Sequence, residues 1–158
     1  MNAATQSTET LIVASDHAGF VMKGLIVAHL EARGFRVLDL GAHSEESVDY
    51  PDYGYRAAQA IAEGRARRGV ILCGSGIGIA IAANRHPLAR AALCHDVTTA
   101  RLARRHNDAN LLALGARLIG PELAREIVDA FLDTAFDGGR HQRRVDKLAH
   151  PVLETVPG

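Results

Sequence analysis

The apolar residues of this chain fall into short runs separated by amphipathic stretches, and the two kinds of segment alternate. Residues 11–14, Leu-Ile-Val-Ala, suit a strand buried on both faces. The polar break Ser15-Asp16-His17 follows. Val21, Leu25, Ala28 and Ala32 then recur at helical spacing, and Gly34 is placed to stop that helix. A second strand is predicted over 35–40. After a polar loop, Pro51 opens a helix expected to run to about Arg67. Residues 69–73 form a third, wholly apolar strand that passes through Gly74-Ser75-Gly76-Ile77-Gly78 into a short helix ending near Asn84. Strands are predicted over 89–93 and 111–114, joined by a helix that Asp96 or Thr98 caps and that reaches Arg105. The chain closes with helices over 121–136, with Leu123, Ile127, Ala130 and Phe131 on one face, and over 140–149.

Strands alternating with helices imply a parallel sheet covered on both faces, the doubly wound α/β class. Ligands of such folds lie beyond the carboxyl ends of the strands. The polar and glycine-rich segments fall at those ends: Ser15-Asp16-His17 after the first strand, Gly74-Ser75-Gly76 after the third, His95-Asp96 after the fourth.

Composition narrows the function. The 158 residues suit one domain, with loose ends expected over 1–9 and 150–158. Eighteen basic and eighteen acidic residues balance, which argues against a strongly basic nucleic-acid binder. Cys73 and Cys94 match no disulfide framework or zinc ribbon, and free thiols fit a reducing compartment. The polar start lacks the features of a signal peptide, and no run is long enough to span a bilayer, so a cytoplasmic protein without membrane contact is expected.

Four places offer chemistry. Cys73 ends a strand at a glycine turn, where the N–H groups of the next helix would favour its thiolate; the alternative is a small buried hydrophobe. A dinucleotide loop needs GxGxxG, whereas this one reads GxGxG, and a cysteine phosphatase loop needs Arg where Ile79 stands. Asp16-His17 is either a substrate contact or an N-cap with a solvated neighbour. His106-Asn107 ends a basic helix, as a proton shuttle or as a dipole-stabilised cation. Arg140 and Arg144 share a helix face and suit an anion clamp or a solvated surface. The eight histidines form no HxxxH pair, and no metal site is expected.

Several of these stretches together resemble the type B ribose-5-phosphate isomerases, in the family that also holds the galactose-6-phosphate isomerase subunits. They are Ser15-Asp16-His17-Ala18-Gly19-Phe20, Asp49-Tyr50-Pro51-Asp52-Tyr53, Leu72-Cys73-Gly74-Ser75-Gly76-Ile77-Gly78-Ile79 and Ala82-Ala83-Asn84. Arg105-His106-Asn107-Asp108-Ala109-Asn110 and Gly138-Gly139-Arg140-His141-Gln142-Arg143-Arg144-Val145 complete them in family order. The resemblance implies a Rossmann-like three-layer fold with five parallel strands and a C-terminal helix. It implies aldose–ketose isomerisation of a sugar phosphate, ribose 5-phosphate by default, without cofactor or metal. It also implies a homodimer, or a tetramer, with active sites shared between subunits.

The same resemblance assigns roles. Cys73 is the base; a second lineage has a glutamate where this chain has Ile79. Ser75 and the amides of Gly74, Gly76, Ile77 and Gly78 face the developing enediolate. His106, from a neighbouring subunit, opens the sugar ring. Asp16 and Asn107 hold sugar oxygens, and Tyr50 lines the pocket. His17, Arg117, Arg140 and Arg144 hold the phosphate. The same machinery could serve allose 6-phosphate, galactose 6-phosphate or a tetrulose phosphate, and a phosphate-binding sensor without turnover is the competing class. A sensor has no need of Cys73, Ser75 and His106 together.

Overall fold

The computed structural model describes residues 9–158. Five strands form one parallel sheet: β1 (Thr10–Ser15), β2 (Arg36–Asp39), β3 (Arg68–Cys73), β4 (Ala91–Leu93) and β5 (Leu111–Gly115). Their spatial order is β2-β1-β3-β5-β4. The helices are α1 (Phe20–Ala32), α2 (Tyr50–Ala62), α3 (Ile77–Ala83), α4 (Val97–Asn107), α5 (Pro121–Asp133) and α6 (Arg140–Ala149). The expected three-layer α/β/α architecture with its C-terminal helix is present.

The connections explain the layers. Parallel strands demand right-handed crossovers, so the side a helix takes depends on the direction in which the chain steps across the sheet. The steps from β1 to β2 and from β4 to β5 run one way, and those from β2 to β3 and β3 to β4 run the other. One core accordingly packs α1, α4 and α5 against the sheet, through Ile26, Leu30, Ala100, Ile127 and Phe131. The opposite core packs α2 and α3, through Tyr53, Ala57, Ile79 and Ala83. The central strands β1, β3 and β5 are buried almost throughout, as their apolar runs require.

Several expectations need correction. The buried side of α1 is Met22, Lys23, Ile26 and Leu30, whereas Val21 and Leu25 face outward. This helix is apolar nearly all round, so spacing alone does not select a face, and a lysine on the buried side breaks the pattern. Similarly, α5 buries Ala124 and Val128 beside Ile127 and Phe131 and leaves Leu123 exposed. Helix α2 stops at Ala62, because Gly64 turns in the left-handed region. β3 then begins at Arg68. β2, β4 and α5 are each shorter than predicted, and α4 extends to Asn107.

Residues 1–8 of the expected loose start lie outside the described residues. Glu9 is not loose: Arg68 donates to its two carboxylate oxygens at 3.0 and 2.7 Å. Residues 151–158 have no regular structure and are exposed throughout.

Candidate active site

The carboxyl ends of β1 and β3 meet in a cleft of about 600 Å³. Asp16, His17, Tyr50, Cys73, Ser75 and Arg117 contribute to its lining, together with Gly74, Ile77 and Gly78. Cys73 is the last residue of β3 and is 4% exposed. Gly76 N–H donates to its Sγ at 3.1 Å. That turn needs a glycine: Gly76 has φ +76°, and a Cβ there would lie 2.8 Å from the Leu114 carbonyl carbon. The Ser75 hydroxyl accepts from Ile77 N–H at 3.2 Å and lies on the cleft side.

Neighbouring loops brace the thiol. Ala116 N–H donates to the Cys73 carbonyl at 2.9 Å, and Arg117 N–H to that of Gly74 at 3.0 Å. The Arg117 guanidinium then lies over Gly74, whose missing side chain leaves it room. Tyr50, the first residue of α2, lays its ring over Gly78, where a Cβ would come within 2.5 Å of the ring. The Asp16 carboxylate caps the turn at Gly19 N–H, at 3.1 Å, and the residue also lines the cleft. Val48 N–H donates to His17 Nδ1 at 3.2 Å, which orients that ring toward the cleft wall.

Lys23 contributes in a way the sequence reading missed. Its ammonium is 2% exposed and donates to Asp39 Oδ1 at 2.6 Å and to the Ala42 carbonyl at 2.7 Å. Gly41 N–H also donates to Asp39 Oδ1, at 2.9 Å. The segment so held is bonded to Ser15 by two backbone hydrogen bonds, immediately before Asp16. A lysine set between Met22 and Ile26 in the apolar first two turns of this helix was the available signal.

The other predicted residues assemble elsewhere. His106 and Asn107, at the end of α4, and Arg144, on α6, line a second cleft of about 290 Å³ with His141 and Leu148. Arg140 begins α6 and is exposed, outside that lining. His141 received no role from the sequence, yet its ring stacks on His106 with centroids 4.5 Å apart and planes 11° from parallel. Partial burial, then the neighbouring His106, Arg140 and Arg144, hold the His141 imidazole below the usual histidine range, against the pull of Asp137. Potential ligand atoms of His106, Asp137 and His141 come within 4.8 Å of one another. Cys73 and His106 therefore belong to two separate clefts of one chain.

Known proteins share this sequence and this fold. The Ribose/Galactose Isomerase family profile matches residues 11–148. Ribose-5-phosphate isomerase B of Escherichia coli K12 is 49% identical over 133 residues, covering 84% of this chain and 89% of the relative. D-erythrulose-4-phosphate isomerase of Pectobacterium atrosepticum is 42% identical over 142 residues, covering 89% and 93%. The crystal structure of a ribose 5-phosphate isomerase from Thermotoga maritima superposes with a TM-score of 0.88 at 52% identity, covering 90% of this chain and 99% of that one. The chain belongs to the ribose/galactose isomerase family, and with it to the aldose–ketose isomerases of sugar phosphates.

Proposed function

We propose that the protein interconverts ribose 5-phosphate and ribulose 5-phosphate, with Cys73 as the base. Its thiolate takes the C2 proton of the open-chain aldose, and the electron pair passes into a cis-enediolate. The proton returns at C1, while the hydroxyl proton passes from O2 to O1. The observation that carries this reading is the position of Cys73: a strand-end thiol on the floor of a cleft, with an amide aimed at its sulfur. The amides of the Gly74–Gly78 turn and the Ser75 hydroxyl stabilise the enediolate oxygens, as an oxyanion hole does. Asp16 holds a sugar hydroxyl and Tyr50 closes one side.

The site is completed by a second copy of the chain. His106 of the neighbour opens the furanose ring, and Asn107 holds its oxygen. Arg140 and Arg144 of the neighbour join His17 and Arg117 on the phosphate. Two observations support a shared site. The Cys73 cleft lacks His106 and Arg144, which gather elsewhere on the chain. Ile77, Ile81 and Leu118 at the cleft's rim are 50%, 53% and 59% exposed, an apolar edge that a partner would cover.

A tetrulose 4-phosphate is the second reading, favoured by the relative named for erythrulose 4-phosphate. A coupled assay over four-, five- and six-carbon sugar phosphates separates the two. The highest kcat/KM is expected on ribose 5-phosphate; a maximum on the tetrulose phosphate would transfer the assignment to it.

A further inference from the structure

A cleft of about 930 Å³ lies at the end of the sheet away from Cys73. Its walls come from the amino ends of the strands: Glu9 just before β1, Arg68 at the start of β3, Arg90 just before β4 and Asn110 just before β5. Arg68 and Cys73 are the first and last of the six residues of β3, so this cleft is roughly 16 Å from the thiol along the strand. Doubly wound folds bind their substrates at the other edge, and nothing in the proposed reaction uses this one.

Its charge is lopsided. Arg65, Arg67, Arg68, Arg90 and Arg104 all line it, against the two carboxylates of Glu9 and Asp108. In a chain whose charges balance overall, five guanidinium groups have been gathered on one concavity. The two acids are already engaged. Glu9 is held bidentately by Arg68, and Asp108 is shared between Arg104 at 2.9 Å and Arg90 at 3.4 Å. Arg104 is 9% exposed, and burial, with Arg68 and Arg90 nearby, lowers its pKa against the pull of Asp108. Arg65 and Arg67 are exposed and have no side-chain partner among the described residues. Folding has therefore brought like charges together without enough carboxylate to neutralise them.

We infer that this cleft binds a small polyvalent anion of the polyphosphate class. Guanidinium forks suit phosphoryl oxygens, and arginines from the α2–β3 connection, the start of β4 and α4 surround the space from several directions. That spread favours a ligand with two or more phosphoryl groups over a single phosphate. A concave site favours a compact anion over an extended polymer.

Calorimetric titration of the whole protein with sodium tripolyphosphate at low ionic strength tests this. One ion is expected per cleft, with affinity falling as salt is added. Arg65→Ala/Arg67→Ala should weaken binding about tenfold or more, and Arg65→Lys/Arg67→Lys should recover part of it. Because neither side chain has a partner, the double alanine variant should keep its fold by circular dichroism and its isomerase rate. Arg144→Ala should leave this binding intact. No binding by the wild type, or equal binding by the double alanine variant, overturns the inference. Loss confined to Arg144→Ala would place the anion in the sugar-phosphate site and also overturn it. Tighter binding of a single-stranded oligonucleotide than of tripolyphosphate would assign the surface to nucleic acid instead.

Discussion

Cys73 and Lys23 are both buried polar side chains, and their surroundings give them different work. The Cys73 sulfur faces a cleft and receives one amide N–H, so its removal should cost chemistry more than stability. Cys73→Ala is expected to lower kcat by at least about a hundredfold, the usual scale for loss of a general base, with an unchanged urea midpoint. Near-normal kcat in the purified variant would remove Cys73 from the mechanism. Lys23 instead ties α1 to the turn that supports Asp16. Asp39→Ala would leave the ammonium buried with only the Ala42 carbonyl, and should cost about 3 kcal/mol. Lys23→Met leaves the Asp39 carboxylate, itself 36% exposed, open to water and should cost about 1 kcal/mol. Urea unfolding of the two variants checks that order; a greater loss in Lys23→Met would contradict this account of the pair.

At the scale of elements, α4 and α6 meet through the stacked rings of His106 and His141. A pKa lowered by folding means that the unfolded chain binds the proton more readily. The stability contributed by neutral His141 is therefore present above the ordinary histidine value, about 6.5, and is lost as the pH falls below it. His141→Phe keeps a ring for the stack and removes the titration. It should show a smaller fall in urea midpoint between pH 7 and pH 5 than the wild type, and an identical fall would contradict the assignment.

Elements were also the scale at which the sequence was most readable. Each of the five strands and six α-helices among the described residues was predictable, because β1, β3 and β5 are unbroken apolar runs and glycine or proline marks most boundaries. The buried face of α1 was not, since Val21 and Leu25 are as apolar as Met22 and Ile26. The Cys73 turn was legible for a local reason: a wholly apolar strand runs straight into three closely spaced glycines. Family motifs did not separate function from scaffold. Asn84 and Asn110 stand in them beside Cys73 and His106, yet Asn84 pairs with the Ala91 backbone. Asn110, likewise, ties together the backbones of Leu88 and Arg90.

At the scale of the whole molecule, strand order and long-range pairing were out of reach, because they depend on which parallel neighbours the crossovers select. The stacking of His106 on His141 and the gathering of Arg65, Arg68, Arg90 and Arg104 around one cleft are consequences of that order. So is the separation of Cys73 from His106 on one chain, from which the shared site is inferred. Cys73→Ala and His106→Asn subunits, each inactive alone, can be mixed, exchanged and checked for heterodimers by mass spectrometry. In a mixed dimer one site carries both substitutions and the other carries neither. With random exchange of equal amounts, about a quarter of wild-type activity should return. No recovery in confirmed heterodimers would contradict the account and require each site to be built within one chain.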